Sequence, residues 1–186
     1  MKTKLLALSG SLRAASINSA FCRAAARLAP ASMPVTVFTG LGEIPLFNPD
    51  LETAPPAAVQ DFRAAVVAAD ALLIASPEYA HGISGVMKNA LDWLVSFEGT
   101  VNKPIALVNT SPRARHANES LREVLQTMST RIVVEASPSL ALLGACVTEE
   151  AMLSSVEVSR AITQMLGALA VHLASEEAAG PSFPLN

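Results

Sequence analysis

Short apolar runs alternate along the chain with longer stretches in which apolar residues recur at helical spacing. The apolar runs predict strands at residues 4–8, 35–38, 71–75, 105–108 and 131–135. The helical stretches lie at residues 17–28, 55–69, 85–96, 118–128 and 154–174. The strands are apolar throughout instead of alternating, as expected when helices cover both faces of a parallel sheet. This pattern predicts an α/β fold with three layers and a doubly wound, five-stranded parallel sheet.

Composition places the chain among folded globular proteins. Hydrophobic residues make up 51% of the 186 residues and charged residues 16%, so we expect one well-buried domain over residues 1–186. The net charge of −3 argues against a nucleic-acid partner. No apolar run reaches the roughly 18 residues of a membrane span, which argues against a membrane partner. Too few apolar residues precede Ser9 for a signal sequence, so we expect a cytoplasmic location.

The two cysteines indicate no metal site. Cys22 and Cys146 are far apart in the sequence, without CxxC spacing and without a neighbouring His or Cys. We expect both to behave as small apolar residues of the interior, and we predict no bound metal.

The first, third and fourth predicted strands end in loops rich in hydroxyl side chains. The stretches read LLALSGSLRAASIN, LLIASPEYAHG and IALVNTSPRARH. Such residues can serve turn geometry alone. Ligands of open parallel sheets, however, bind at the carboxyl ends of the strands. Three such loops in one sheet therefore favour a shared ligand pocket.

The first of these loops has the chemistry of a phosphate site. Ser9, Ser11, Ser16 and Asn18 supply hydroxyl and amide donors, and Arg13 supplies a planar guanidinium. The next helix begins close by, so its free N–H groups and positive dipole end face the same space. The alternative is a plain helix cap with a solvated arginine. No P-loop or three-glycine dinucleotide loop is present, so a mononucleotide phosphate is favoured.

Four stretches in this order resemble the NAD(P)H-dependent FMN reductases of flavodoxin-like fold, a family that includes quinone, azo-dye and chromate reductases. The stretches are GSLRAASIN, IPLFNPDLE, SPEYAHGISGVMKNALDWL and SPRARHANESLREVL, and the resemblance covers roughly residues 3–175. It implies an FMN cofactor with NADPH or NADH as electron donor. The implied FMN site comprises three groups: the phosphate loop Ser9, Ser11, Arg13, Ser16, Ile17 and Asn18; the flavin-side loop Pro77, Glu78, Tyr79, Ala80, His81 and Gly82; and the closing pair Thr110 and Ser111.

Two positions depart from the family pattern. Many members have Asn where Ala80 stands, so here only a backbone role carries over. Many have Pro where Ser84 stands, and we expect Ser84 to act as a helix N-cap instead.

The resemblance implies a ping-pong cycle, with hydride passing from NAD(P)H to FMN and then to a small acceptor such as a quinone, azo compound, chromate or free flavin. We nominate no catalytic residue, because the flavin carries the chemistry. Glu78 is a candidate general acid, but we favour a loop carboxylate that is hydrogen-bonded to the backbone.

Two alternative functions remain: a flavodoxin-type electron carrier and a flavin-binding regulatory protein. The low acidity and the 4% aromatic content argue against the carrier.

The local basic cluster Arg113, Arg115 and His116 raises a further hypothesis. It would meet the 2′-phosphate of NADPH and so favour NADPH over NADH; a solvated loop is the alternative.

The helix at residues 85–96 is apolar over a wide arc that includes Trp93. A narrower stripe suffices for packing on a sheet. Family members pair through this region, so we expect a homodimer or homotetramer. The alternative is that one of the two long irregular segments, 39–54 or 138–153, covers the arc.

Overall fold

The computed structural model describes residues 2–142, 144 and 146–179. Strands and helices alternate along most of this length, as the apolar periodicity predicts. In chain order the elements are β1 (Leu5–Ser9), α1 (Ile17–Leu28), β2 (Val35–Phe38), α2 (Ala57–Ala68), β3 (Ala71–Ala75), β4 (Glu78–Tyr79), β5 (Gly82–Ile83), α3 (Gly85–Asp92), β6 (Pro104–Val108), α4 (Arg115–Thr127), β7 (Arg131–Ile132), α5 (Glu149–Ser154) and α6 (Val156–Ala179).

The main sheet has five parallel strands in the order β2-β1-β3-β6-β7. The predicted doubly wound α/β fold is therefore confirmed. The strand order reverses between β1 and β3, since the chain moves outward from β1 to β2 and then crosses to β3 on the other side. A crevice at such a switch point is where ligands of this architecture bind.

Helices cover both faces of the sheet, which explains why its central strands are almost continuously apolar. Along β1, Leu5 and Ala7 belong to the core under α1 and α6. Leu6 and Leu8 belong to the core under α2, α3 and α4. Every residue of β1, β3 and β6 is buried. With both faces packed, the carboxyl ends of these strands form a rigid base for the loops that follow them.

Three local predictions need correction. The fifth strand stops at Ile132, and residues Val134–Ala136 form a 3₁₀ turn that leaves Val134 exposed. The segment 138–153 is not wholly irregular, because α5 begins at residue 149 after the Thr148 side chain caps it by accepting the Ala151 N–H. The third-strand loop contains the antiparallel hairpin of β4 and β5. Short elements of this kind depend on local hydrogen bonds, and the spacing of apolar residues does not predict these bonds.

The apolar arc of α3 is covered within the chain by the segment 39–54. Trp93 is 0% exposed, and its indole Nε1–H donates to the Pro45 carbonyl at 2.8 Å. The Phe47 ring meets the indole edge-on with centroids 5.1 Å apart. Asn89 fastens the same segment, accepting the Phe47 N–H and donating to the Pro45 carbonyl. The arc thus gives no support for a subunit interface.

Among the described residues, no helix has the length and hydropathy needed to cross a bilayer.

Candidate functional site

A cleft of about 560 Å³ opens at the carboxyl ends of β1, β3 and β6, beside the switch point. All three hydroxyl-rich loops contribute to it, as the sequence predicts. The lining residues that were predicted are Ser11, Arg13, Ser16, Ile17, Asn18, Pro77, Glu78, Tyr79, Thr110, Ser111 and Arg113.

The remaining predicted residues lie outside the lining of the cleft. Ser9 is buried behind the first loop, where its hydroxyl lies 2.8 Å from the Ser19 hydroxyl. Ala80, His81 and Gly82 form the far end of the β4–β5 hairpin, and Arg115 and His116 form the exposed first turn of α4.

The β1–α1 loop presents a set of donors to the cleft. Ser16 caps α1 by accepting the Ser19 N–H at 3.2 Å, so the N–H groups of Ile17 and Asn18 remain without helical partners. The Arg13 guanidinium is exposed, and no carboxylate of the described residues lies within ion-pair distance of it. Guanidinium, hydroxyls and helix N–H groups are the donors that a phosphate monoester requires.

Gly10 lets the first and third loops approach each other. A Cβ at this position would lie 2.3 Å from Ser76 Oγ and 2.9 Å from Ser84 Oγ. The Ser84 hydroxyl donates to the Gly10 carbonyl at 2.6 Å and also accepts the Met87 N–H, so the expectation that Ser84 caps α3 is confirmed. Ser84 thus joins the β1–α1 loop to the start of α3 through these two hydrogen bonds.

A second hydrogen bond joins the loop after β6 to the first turn of α1. The Thr110 hydroxyl donates to Asn18 Oδ1 at 2.8 Å, and both side chains are buried. Asn109, which the sequence analysis missed, shapes the fourth loop by accepting the Ser111 N–H and donating to the Ala114 carbonyl. An Asn directly after a strand is a turn signal.

Glu78 is bonded to backbone, as the sequence analysis favours. Its Oε2 accepts the Ala117 N–H at 2.9 Å and so caps α4, which has no side-chain cap of its own. Its Oε1 lies 3.2 Å from His81 Nδ1. The Ala117 hydrogen bond holds the pKa of the Glu78 carboxyl below its ordinary value; burial opposes this, and the nearby His116 and His81 reinforce it. Glu78 therefore stays ionised near neutral pH and is a poor general acid.

The hairpin turn at Ala80 and His81 has left-handed backbone, with φ of 50° and 59°. Two successive positive φ angles define the tight turn that joins β4 to β5. The exposed His81 ring meets the His116 ring edge-on at 4.6 Å, which links the hairpin to the first turn of α4. Asn tolerates left-handed backbone better than Ala, so the departure at Ala80 weakens the turn itself.

Ser76, the first residue of the predicted flavin-side loop, also lines the cleft. Three further residues of the lining were not predicted. Ala15 and Ala114 are small apolar residues with little chemical signal of their own. Val147 comes from the distant segment before α5.

Within the described ranges, no three His, Cys, Asp or Glu side chains gather as a metal site would require. Cys22 is buried, and burial raises the pKa of its thiol to about 12.

Fold and cleft together define a doubly wound α/β protein with an open cleft at its switch point. Residues 3–144 match the family model described as NADPH-dependent FMN reductase. The chain belongs to the NADPH-dependent FMN reductase family.

Two curated relatives illustrate the similarity. A probable NADPH:quinone oxidoreductase 2 from Oryza sativa subsp. japonica is 47% identical over 94 residues, covering 48% of this chain and 46% of the relative. An NAD(P)H-dependent FMN reductase from Pseudomonas aeruginosa is 46% identical over 91 residues, covering 48% of this chain and 49% of the relative. The chain thus spans about half the length of the curated relatives it matches.

Solved structures share the fold. A flavoenzyme NAD(P)H:(acceptor) oxidoreductase from Paracoccus denitrificans superposes with a TM-score of 0.75 at 21% identity, over 93% of this chain and 98% of that one. A flavodoxin from Pseudomonas aeruginosa superposes with a TM-score of 0.59 at 16% identity, over 92% of this chain and 99% of that one. The flavodoxin-like architecture of this chain is therefore shared by an oxidoreductase and by a flavodoxin.

Proposed function

We propose that this protein is an NAD(P)H-dependent flavin reductase of the quinone-oxidoreductase type. FMN would occupy the cleft and, when bound, would supply the hydride chemistry that the protein's own side chains lack. One observation carries the proposal: the donors of a phosphate site and the open flavin-side loop line one cleft at the switch point. Family membership supports the same reading.

The residues of the cleft fit FMN. Arg13, the Ser11 and Ser16 hydroxyls and the free N–H groups at the start of α1 would hold the phosphate. Pro77, Tyr79 and the backbone of the third loop would flank the ribityl chain and the ring, with Thr110 and Ser111 opposite. The roles of Ser9, Ala80, His81 and Gly82 are indirect, since these residues support the two loops from outside the lining.

The cleft remains open on the side of Tyr79, whose ring is more than half exposed. An open face lets nicotinamide and acceptor use the same space in turn, which suits a ping-pong cycle. A quinone would be the acceptor that uses this space, since curated relatives named as quinone reductases support that acceptor class.

The basic cluster of the fourth loop would favour NADPH over NADH. Arg113 lies in the cleft lining, and Arg115 and His116 stand beside it on α4. Among the described residues, neither Arg113 nor Arg115 has a carboxylate within ion-pair distance, and such a guanidinium suits the 2′-phosphate. Replacing Arg113 or Arg115 by Ala is expected to lower kcat/KM for NADPH and leave that for NADH unchanged. Equal kcat/KM for both nucleotides in the wild type would overturn the preference.

Assembly as a homodimer or homotetramer stays a prediction of the family resemblance, and a cytoplasmic location stays a prediction from the sequence. Sedimentation at micromolar concentration tests the assembly. A single 19.4 kDa species would contradict it.

The experiment that tests the function is anaerobic spectroscopy of the FMN-loaded protein. NADPH is expected to bleach the flavin absorbance, and a quinone is expected to restore it over many turnovers. A protein that binds FMN but is not reduced by NADPH or NADH would be a carrier or a regulatory protein. A protein that does not bind FMN would contradict the proposal altogether.

A further inference from the structure

A second cavity lies on the other side of the β1–α1 loop, toward the end of β2. It encloses about 320 Å³, and we name it the side cavity. The cleft and the side cavity share two lining residues, Ser11 and Arg13. The loop assigned to the phosphate thus separates two spaces, and its Arg13 borders both.

The side cavity combines an apolar wall with a cationic, hydroxyl-bearing wall. The apolar wall includes Phe38 together with Leu12 and Leu41. The polar wall includes Ser19 and Arg23, in addition to the shared arginine. No Asp or Glu is among its described lining residues.

The charge of the polar wall is only partly neutralised. Arg23 Nε donates to Glu149 Oε2 at 2.9 Å, and the same carboxylate meets Arg27 at 3.5 Å. Two guanidinium groups therefore share one carboxylate. The Arg23 guanidinium has further N–H groups that can donate to an anion.

This combination suits an adenylate group. A purine ring is planar and apolar on its faces, so it fits a wall built from an aromatic ring and leucines. A phosphate suits paired guanidinium groups. FAD differs from FMN by an adenylate group joined to the FMN phosphate. With that phosphate at Ser11 and Arg13, the added group would begin where the two spaces meet.

We propose that the side cavity binds the adenylate half of FAD, so that this chain accepts FAD as well as FMN. This proposal rests on the proposed function, because it takes the FMN phosphate to lie at the β1–α1 loop. Free adenylate shares the same chemistry, and the experiment must separate the two sources.

Two neighbouring alanines give a matched pair of variants. Ala14 lines the side cavity alone, Ala15 lines the cleft alone, and both are exposed. Binding of FMN and of FAD is measured for each by quenching of flavin fluorescence. Ala14→Phe is expected to weaken FAD by about tenfold, the loss of one good contact, and to leave FMN within twofold. Ala15→Phe is expected to weaken both flavins.

A second variant and a competitor complete the test. Arg23→Gln is expected to weaken FAD and spare FMN, and the FMN titration itself reports that the variant is folded. AMP is expected to compete with FAD and not with FMN.

The outcomes separate the two proposals. If neither flavin binds to the wild type, the proposed function fails and this inference fails with it. If FMN binds and FAD does not, this inference alone is overturned, even where AMP binds. An FAD-to-FMN affinity ratio that neither Ala14→Phe nor Arg23→Gln changes also overturns it.

Discussion

The Thr110 hydroxyl lies 2.8 Å from Asn18 Oδ1, and this buried hydrogen bond joins the first turn of α1 to the loop that follows β6. The two residues are 92 positions apart in the sequence. Because each borders the cleft, the bond sets the distance between its two walls.

Thr110→Val keeps the shape of the side chain and leaves Asn18 Oδ1 without this donor. A buried acceptor that loses its partner costs about 1–3 kcal/mol, and we expect that loss in the free energy of unfolding. FMN binding should weaken as well. Urea denaturation and an FMN titration check both effects.

Thr127→Val is the matched control, because the Thr127 hydroxyl is exposed and donates to a carbonyl of its own helix. Its stability should change by no more than about 0.5 kcal/mol. If the Thr110 variant behaves like this control, the bond does not hold the walls of the cleft.

Gly10→Ala would place a Cβ 2.3 Å from Ser76 Oγ. Overpacking of this kind costs about 1–3 kcal/mol, so we expect the variant to unfold at lower denaturant concentration. Gly167→Ala is the control, since a Cβ there meets no atom within 4 Å. Because Gly167 lies inside α6, that change should instead stabilise by about 0.5–1 kcal/mol. Equal effects of the two substitutions would contradict the close approach of the loops.

Ala80→Asn should stabilise the protein, since Ala80 has left-handed backbone with φ of 50°. That conformation costs an ordinary L-residue roughly 1–2 kcal/mol, and Asn tolerates it better. The reciprocal control is Asn102→Ala, because Asn102 already has φ of 58°. It should destabilise by a similar amount. Thermal unfolding of both variants decides the matter, and a loss of stability in Ala80→Asn would refute the reading.

Glu78→Gln should alter the dependence of stability on pH. The pKa of the folded Glu78 carboxyl is lowered chiefly by the Ala117 N–H. A lowered pKa means that the carboxylate stabilises the fold above its unfolded pKa, and that this contribution disappears as pH falls through the folded pKa. The Tm of the wild type should therefore exceed that of Glu78→Gln near neutral pH, and the two should converge in acid. A Tm difference that is constant from neutral pH to pH 3 would be inconsistent with this assignment.

The three layers of the fold could be predicted, because strands that are buried on both faces of a sheet are continuously apolar in the sequence. The edge of the sheet that carries the cleft could also be predicted. The residue types at the ends of β1, β3 and β6 marked the cleft for a similar reason. Asn18 was predicted as a site residue from its amide donor near the start of α1, and Thr110 from the family resemblance. Their mutual hydrogen bond could not, since it depends on how far apart the loops stand.

Other features depend on packing between distant segments and leave no local pattern. The wide apolar arc that includes Trp93 favoured a subunit interface, but the alternative holds, because Pro45 and Phe47 of the segment 39–54 cover it. The close contact of Gly10 with Ser76 and Ser84 arises only when the two loops meet.

The central claim is that the β1–α1 loop binds the phosphate of FMN. The most direct measurement compares the dissociation constants of FMN and riboflavin, which lacks the phosphate, for the wild type and for Arg13→Ala. A charge-assisted bond contributes about 1.5–3 kcal/mol, so Arg13→Ala should weaken FMN by roughly tenfold to a hundredfold and leave riboflavin unchanged. Arg160→Ala removes the same charge from an exposed position on α6 and should change neither. Equal affinity of the wild type for FMN and riboflavin would contradict the claim.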